Sequence, residues 1–250
     1  MKTKSAMTLD RVLSRFGLAS RSAARSAVQG GRLKVNGRVV RDPDLWIRPD
    51  EDVLHLDGKR LKLARKRYFL LYKPKGVITS HGDPGKRKTV YDLLDSSLPW
   101  VAPVGRLDKD TSGLILLTND TEFASFVTDP NSEVRKTYLV KISGIIDDAA
   151  LTALACGVKM KRGDWARPQT VRRIKDQGKH SWLEIVLTEG KNREVRRMLE
   201  AVGLKVLKLV RTAIGPLTLE GLEIGKYREL TPAEISRIKN FRVQSPRSKV

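Results

Sequence analysis

The chain is poor in the residues that support disulfide formation, metal binding and membrane insertion. It has one cysteine, Cys156, and three scattered histidines, His55, His81 and His180. A single cysteine excludes an intrachain disulfide, and no pair of these side chains has the spacing of a zinc site. No run of about 18 apolar residues occurs, so no segment is predicted to cross a bilayer as a helix.

The sequence also lacks the signs of secretion. The first fifteen residues, MKTKSAMTLDRVLSR, contain no apolar stretch like that of a signal peptide. The lone cysteine fits a reducing compartment. We therefore expect a cytoplasmic protein with no bound metal and no contact with a membrane.

Acidic residues are scarce relative to basic ones. Lys and Arg number 49 against 28 Asp and Glu, which gives a net charge of +21, while 40% of the residues are hydrophobic and can form a core. A positive excess of this size indicates a polyanionic partner, for which nucleic acid is the usual choice. An anionic membrane surface is disfavoured because no amphipathic helix joins an aromatic face to a Lys-rich one.

The first sixty residues have the pattern of a small helix and hairpin module. An apolar stripe at helical spacing predicts a first helix, and its members are Leu9, Val12, Leu13 and Phe16. Ser20 is suited to cap a second helix, whose small apolar residues are Ala23, Ala24, Ala27 and Val28. Asn36-Gly37 between apolar runs predicts a hairpin, and a short strand is expected at residues 53–56.

The remaining chain mixes strand and helix patterns without strict alternation. The predicted strands are 68–73, 101–104, 114–118, 135–143, 167–176, 181–188 and 205–213, and the predicted helices are 89–94, 120–127, 147–156, 193–202 and 232–239. This order favours an α+β domain around a mostly antiparallel sheet. The expected organisation is a module at 8–60, a basic linker at 61–67, a large domain at 68–240 and a basic tail at 241–250.

Basic side chains cluster in the first module. Arg11 and Arg15 are four residues apart on the first helix, as are Arg21 and Arg25 on the second. Like charges at this spacing repel each other, so two such pairs suggest a shared anion. The hairpin region adds three further cations: Arg32, Lys34 and Arg38. The alternative is a set of solvated surface arginines.

The segment 9–40 resembles the S4-type, or α-L, RNA-binding domain. The resemblance is carried by the Ser20-Arg21 start of the second helix, by Gly31 at its end and by the Val35-Asn36-Gly37 turn. Such domains bind structured RNA through its shape and its phosphates. The resemblance implies RNA binding, without an activity.

A polar loop, Gly105-Arg-Leu-Asp-Lys-Asp-Thr-Ser-Gly113, lies between two apolar strands, and three interpretations of its carboxylates compete. A calcium loop is disfavoured because the twelfth position from Asp108 is Asn119 rather than Glu. Asp108 or Asp110 could instead cap local amides in a turn. Finally, an ionised Asp beside a cation is a feasible nucleophile. Periodicity leaves the last two open.

The same loop resembles the signature of the pseudouridine synthases that modify ribosomal RNA, in the branch with an S4-type domain. Three further segments match that family in order: Lys73-Pro-Lys-Gly76, Lys136-Thr-Tyr-Leu-Val140 and Gly190-Lys-Asn-Arg-Glu-Val-Arg-Arg197. The resemblance implies that Asp108 is the essential catalytic residue, as a nucleophile that attacks the base or the sugar or as a group that deprotonates the nucleotide. It also implies that Tyr138 stacks on the flipped uracil and takes part in proton transfer, and that Arg196 pairs with Asp108.

Further contacts with RNA are expected around this loop. Alternation places Arg106 on the same side as Asp108, where it would meet a phosphate or fill the space left by the flipped base. Lys191 and Arg193, in the 190–197 segment, are also expected to bind RNA, and Asn192 to cap the helix that follows. Lys73 and Gly76 would shape the floor of the site.

The resemblance therefore predicts isomerisation of a uridine to pseudouridine in ribosomal RNA, more in keeping with the large subunit than the small one. The expected partner is ribosomal RNA or a ribosomal precursor particle, bound by a monomer that uses no cofactor. The alternative is a catalytically silent RNA-binding or ribosome-assembly factor on the same fold. Release of tritium from carbon 5 of uridine would separate the two.

Overall fold

A computed structural model describes residues 6–15, 21–49, 51–62, 65–161 and 163–241, with the backbone alone at residues 14, 15 and 21. The chain forms two compact units. The first comprises Met1–Tyr68 with Asp95–Ala102 and Leu117–Thr121, and the second comprises Phe69–Leu94, Pro103–Leu116 and Glu122–Val250.

The N-terminal part of the first unit has the predicted two helices and hairpin. Its elements are β1 (Met7–Thr8), α1 (Leu9–Arg15), α2 (Arg21–Gln29), β2 (Leu33–Val35), β3 (Arg38–Val40), β4 (Trp46–Ile47), β5 (Leu54–Leu56) and β6 (Lys59–Arg60). The antiparallel order is β3-β2-β5-β6, and β1 pairs with β4. Asn36 and Gly37 have φ values of 49° and 82°, as expected for a two-residue hairpin turn.

The predicted apolar stripes form the core of this module. Leu9, Val12 and Leu13 of α1 pack with Ala24 and Val28 of α2. The hairpin, β4 and β5 close the core from the other side, through Leu33, Val35, Ile47 and Leu54. Phe16 and Ser20, which we assigned to the stripe and to the cap, lie outside the described residues.

The second unit is built on a mixed, mostly antiparallel sheet, which confirms the α+β prediction. Its path is β13-β14-β10-β15-β9-β7-β17, with β16 beside β15 and β8 beside β9. The strands are β7 (Tyr68–Lys73), β8 (Ala102–Val104), β9 (Ser112–Thr118), β10 (Lys136–Ser143), β13 (Thr170–Gln177), β14 (His180–Leu187), β15 (Val206–Ile214), β16 (Leu217–Thr218) and β17 (Tyr227–Glu229). The pairing between β15 and β9 is parallel.

The helices of this unit follow the prediction within two residues at each end. They are α3 (Thr121–Thr128), α4 (Asp148–Cys156), α5 (Glu194–Ala201) and α6 (Pro232–Lys239), and a separate hairpin pairs β11 (Val158–Lys159) with β12 (Trp165–Ala166). The helix predicted at 89–94 is instead a 3-10 helix, Val90–Leu93. Alternate residues of β10 and β14 pack with α4 and α5 in the largest core.

Gly113 allows β9 and β15 to run side by side. It pairs with Arg211 across the parallel ladder and has a φ of 122°. A Cβ at this position would overlap the backbone nitrogen and oxygen of Arg211. Only glycine therefore lets the strand that follows the Asp108 loop reach its neighbour.

Candidate active site

The Asp108 loop connects β8 to β9, and hydrogen bonds to its backbone hold it in place. The Thr79 hydroxyl donates to the Leu107 carbonyl at 2.9 Å and accepts from the Leu107 amide at 3.2 Å. The Gly76 amide donates to the Lys109 carbonyl at 2.8 Å, and the Thr111 amide donates to Asp108 O at 3.1 Å. The loop is thus fixed at residues 107, 109 and 111, which leaves the Asp108 side chain free to face the neighbouring space.

That space is a cleft of about 520 Å³ in the second unit. Asp108, Arg106 and Tyr138 line it, together with the 189–195 segment. The Asp108 side chain is 35% exposed and therefore accessible. The structure thus brings together residues of three separate sequence motifs, the Asp108 loop, the 136–140 segment and the 190–197 segment.

Arg193 supplies the guanidinium closest to the carboxylate. Its Nη1 lies 3.5 Å from Asp108 Oδ2, and its side chain is 45% exposed. Arg193 is the N-cap of α5, with a left-handed φ of 49° and no side-chain cap. The prediction that Asn192 caps this helix was therefore wrong. Here the backbone turns at Arg193, and this turn aims the Arg193 side chain at the loop.

The expected ion pair between Arg196 and Asp108 is not formed between these two described side chains. Arg196 instead donates from Nη2 to the Asp110 carbonyl at 2.9 Å. One turn of helix separates it from the N-cap, so its side chain reaches the back of the loop rather than the carboxylate. Burial lowers the pKa of Arg196, and the nearby Arg193 lowers it further, while Asp108 opposes both effects.

The floor of the cleft holds Tyr138 between cations that we did not predict. Lys136 and Tyr138 point the same way from β10, and both are buried at 8% exposure. Lys136 donates to the Thr188 carbonyl at 2.9 Å. Burial and the neighbouring Arg211 lower the pKa of Lys136 to about 8. Its place two residues before Tyr138 was the sequence signal that it shares the same face.

Arg211 is the second cation of the floor. Its Nε donates to the Leu114 carbonyl at 2.7 Å, while Nη2 is buried without a hydrogen-bond partner among the described residues. No sequence pattern marked this residue, because it lies within the apolar run of β15. A free guanidinium nitrogen in the cleft is suited to contact a carbonyl or phosphate oxygen of a ligand.

Lys73 is fully buried beneath the loop. Its Nζ donates to the Val77 carbonyl at 2.6 Å and to the Pro74 carbonyl at 3.0 Å. Burial lowers its pKa to about 8, although Asp108 and Asp110 favour the charged form. Lys73 therefore holds the Pro74 and Val77 carbonyls, and Gly76 of the same segment contacts the Asp108 loop through its amide.

Glu194 is a buried carboxyl in the wall of the cleft. It is 3% exposed, and its Oε2 accepts from the Lys191 amide at 2.9 Å. Burial and a hydrogen bond with Glu189 raise its pKa to about 8. Its Oε1 has no donor among the described residues, which fits a protonated carboxyl. Lys191, exposed on the same segment, pairs with Glu189 at 3.0 Å.

The predicted RNA-binding residues of the first unit fall into two groups. Arg25 forms a bidentate pair with Asp44 at 2.7 and 2.9 Å, and Arg32 pairs with Asp57. The Asp44 carboxylate therefore already occupies the guanidinium of Arg25, which we had expected to bind an external anion. Among the predicted RNA-binding residues of this unit, Arg11, Lys34 and Arg38 are exposed and form no ion pair with any described residue. The side chains of Arg15 and Arg21 lie outside the described part of the chain.

Within the described ranges, no group of three His, Cys, Asp or Glu side chains is placed to hold a metal ion. No helix in the described part of the chain is long and apolar enough to cross a membrane.

Two family models match the chain. Residues 67–201 match the RNA pseudouridylate synthase family, and residues 7–53 match the S4 domain. An uncharacterized RNA pseudouridine synthase of Aquifex aeolicus is 40% identical over 231 residues, which are 92% of each chain. The ribosomal large subunit pseudouridine synthase B of Bacillus subtilis is 40% identical over 232 residues, covering 92% of this chain and 95% of that one.

The fold also matches an experimental structure. A crystal structure of a pseudouridylate synthase superposes with a TM-score of 0.68 at 31% identity, covering 93% of this chain and 99% of that one. The Asp108 loop, Tyr138 and helix α5 all lie within the range matched by the synthase family. The chain therefore belongs to the RNA pseudouridylate synthase family and carries an S4 domain.

Proposed function

We propose that this protein converts a uridine of large-subunit ribosomal RNA to pseudouridine, with Asp108 as the nucleophile. The observation that carries the proposal is the exposed Asp108 carboxylate, which lies in a cleft with Tyr138 and beside the Arg193 guanidinium. The subunit assignment follows the name of the Bacillus subtilis relative. The substrate is ribosomal RNA, either free or within a precursor particle.

The reaction breaks the bond between C1′ of ribose and N1 of uracil and forms one between C1′ and C5. The C5 proton is lost and N1 gains a proton, so the product is an isomer and no cofactor is consumed. The target base first leaves its stack, at a cost of a few kcal/mol. Asp108 then forms a transient bond to the nucleotide, which breaks again once C1′ is joined to C5, and Arg193 keeps the carboxylate oriented.

The other cleft residues bind and position the nucleotide. Tyr138 stacks on the uracil and takes part in removing the C5 proton; such stacking contributes roughly 1–3 kcal/mol per base. Arg106 and Lys191 contact phosphates or fill the gap left by the flipped base. Arg196 holds the Asp110 carbonyl and so positions the loop.

The wider organisation is part of the same proposal. The module at 8–60 binds RNA, the basic segment 61–67 links it to the catalytic domain at 68–240, and residues 241–250 form a basic tail. Arg11, Lys34 and Arg38 contribute phosphate contacts from the module, with Arg15, Arg21, Arg25 and Arg32 beside them. The protein acts as a monomer in the cytoplasm, away from membranes.

The test is tritium release from RNA labelled at carbon 5 of uridine. Asp108→Asn removes the nucleophile and is expected to abolish release while RNA binding stays within about twofold. Asp110→Asn is the matched control, because Arg196 contacts the backbone carbonyl of Asp110 and not its carboxylate. Native release by Asp108→Asn would mean that Asp108 is not the nucleophile. Silence of the native protein on all ribosomal RNA would favour an RNA-binding factor without catalysis.

A further inference from the structure

The hairpin of β11 and β12 has one buried and one exposed face. Buried and exposed side chains alternate along residues 158–161 and 165–168, and the buried ones are Val158, Met160, Ala166 and Pro168. The exposed members are Lys159, Lys161, Trp165 and Arg167, which we call the outer hairpin face. Three cations and one indole make up this face, with no acidic residue among them.

Trp165 is unusually open for its size. It is 63% exposed, although a tryptophan side chain normally buries most of its large apolar area. Lys159 lies directly across the ladder from it. Neighbours opposite each other on one face of an antiparallel pair are in contact range. The indole thus stands beside a cation, open to solvent.

The positive charge of the face is not compensated within the described part of the chain. Lys159, Lys161 and Arg167 form no ion pair with any residue described there. Asp164, at the end of the turn, pairs with Arg197 of α5 at 2.8 Å. The face therefore presents fixed positive charge around an exposed aromatic ring, which is complementary to a polyanion with exposed bases.

Two contacts join the hairpin to the wall of the catalytic cleft. Lys191, which lines the cleft, donates from Nζ to the Trp165 carbonyl at 3.2 Å. The Arg197–Asp164 pair ties the turn to helix α5, whose N-cap Arg193 contacts Asp108. The outer hairpin face is thus anchored to the rim of the site rather than to a remote surface.

We propose that the outer hairpin face binds an unpaired nucleotide that flanks the target uridine. Trp165 stacks on its base, while Lys159, Lys161 and Arg167 face the phosphates on either side. Extruding a base unstacks its neighbours, and a second stacking surface beside the cleft compensates for part of that loss. The inference rests on the proposed function for the presence of RNA at the cleft.

The first test measures RNA affinity with the full chain. Trp165→Ala should weaken binding of a fluorescein-labelled oligouridine of about 12 nucleotides by roughly tenfold, the scale of one stacked base. Trp165→Phe should restore most of the affinity. Ile224→Ala, at a position that is 62% exposed in the same unit, is the matched control and should change nothing. A blunt RNA duplex of about 16 base pairs offers no free base, so Trp165→Ala should leave its binding unchanged.

The second test isolates the surface from other RNA contacts. With Trp46, Trp100 and Trp182 replaced by Phe, Trp165 is the only indole in the chain. Oligouridine should quench its fluorescence, and replacing Lys159, Lys161 and Arg167 by Gln should raise the concentration needed. Unquenched fluorescence at saturating oligouridine, or an equal loss of duplex and oligouridine binding in Trp165→Ala, would overturn the proposal.

Both tests measure binding and not turnover. Oligouridine should quench Trp165 fluorescence in the Asp108→Asn variant as strongly as it does when Asp108 is present. Failure of the hairpin proposal would then appear as absent quenching with intact tritium release. Failure of the proposed function would appear as absent tritium release with quenching retained.

Discussion

The arginines of the 193–197 segment show how side-chain partners depend on backbone detail. Arg193 and Arg196 lie three residues apart, and the resemblance to the synthase motif implied that Arg196 meets Asp108. The left-handed φ of 49° at Arg193 starts the helix one residue later than expected, and Arg193 itself reaches the carboxylate. Arg196 then falls on the buried face of α5, where it donates a hydrogen bond to the Asp110 carbonyl.

Substitutions of the two arginines should affect turnover and stability differently. Arg193→Gln removes the ion pair from an exposed side chain, so the turnover number should fall by roughly tenfold or more with little change in melting temperature. Arg196→Gln leaves the loop carbonyl and a buried site unsatisfied, so both turnover and melting temperature should fall. Single-turnover kinetics and thermal unfolding measure the two effects. Native turnover in Arg193→Gln would mean that Arg193 does not contribute to catalysis.

Glu194 should make stability depend on pH. Its pKa is about 8 in the folded chain against 4.5 for the ordinary group, so the folded state holds the proton more tightly. The stabilisation is fully present below about pH 4.5 and is lost as pH rises towards 8. Glu194→Gln should therefore flatten the fall in unfolding free energy between pH 5 and 8, as measured by urea titration.

Two lysines act in a different pH range. The pKa values of Lys73 and Lys136 are lowered to about 8 from 10.5 because burial disfavours the charged form. The cost of that burial is relieved only as pH rises above 8.

Glu200→Gln, on the exposed side of helix α5, is the control for Glu194→Gln. An unchanged pH slope in Glu194→Gln would contradict a protonated carboxyl at that position.

At the scale of the element, the longer strands and helices followed from periodicity. The alternation in β10 and β14 and the apolar stripe of α1 were visible because burial on one face imposes a period of two or of 3.6. Two-residue strands such as β11 and β12 are too short to show a period. Their pairing depends on the turn between them and on the α5 surface beneath.

Gly113 offers a test of the parallel ladder. Gly113→Ala places a Cβ against the Arg211 backbone, so β9 and β15 must separate, and the free energy of unfolding should fall by roughly 3 kcal/mol or more. Gly178→Ala is the matched control, because its φ is also positive, at 59°, but a Cβ there meets nothing within 4 Å. The control should cost about 1–2 kcal/mol, from backbone strain alone.

Chemical denaturation of the two variants measures this difference. Because Arg211 lines the cleft, tritium release should fall further in Gly113→Ala than in Gly178→Ala. Equal unfolding free energies would mean that the ladder tolerates a side chain at position 113.

For the whole molecule, the net charge of +21 is the dominant property. Part of that charge is used internally, as the pairs formed by Arg25 and Arg32 show. The remaining cations set the long-range attraction to RNA and the dependence of affinity on salt.

The unpaired cations of the first module should control that dependence. Replacing Arg11, Lys34 and Arg38 by Gln should reduce the slope of log affinity against log salt by roughly 2–3, since each phosphate contact contributes about 0.7–0.9. Replacing Arg25 and Arg32 is the comparison, because each is already paired with an Asp. Filter binding of ribosomal RNA over a range of salt concentrations measures the slopes. Equal slopes for the native chain and the first variant would exclude Arg11, Lys34 and Arg38 as phosphate-binding residues.

The sequence by itself determined the element pattern and the basic character, and its motifs singled out Asp108 and Tyr138 as candidate site residues. These depend on local periodicity, on summed charge and on short motifs, all of which can be read along the chain. Only the tertiary structure decided that Arg193 is the partner of Asp108, and that Lys136 and Arg211 share the floor of its cleft. Those residues come from distant parts of the chain, and the burial that lowers the pKa of Lys136 exists only once the sheet has formed.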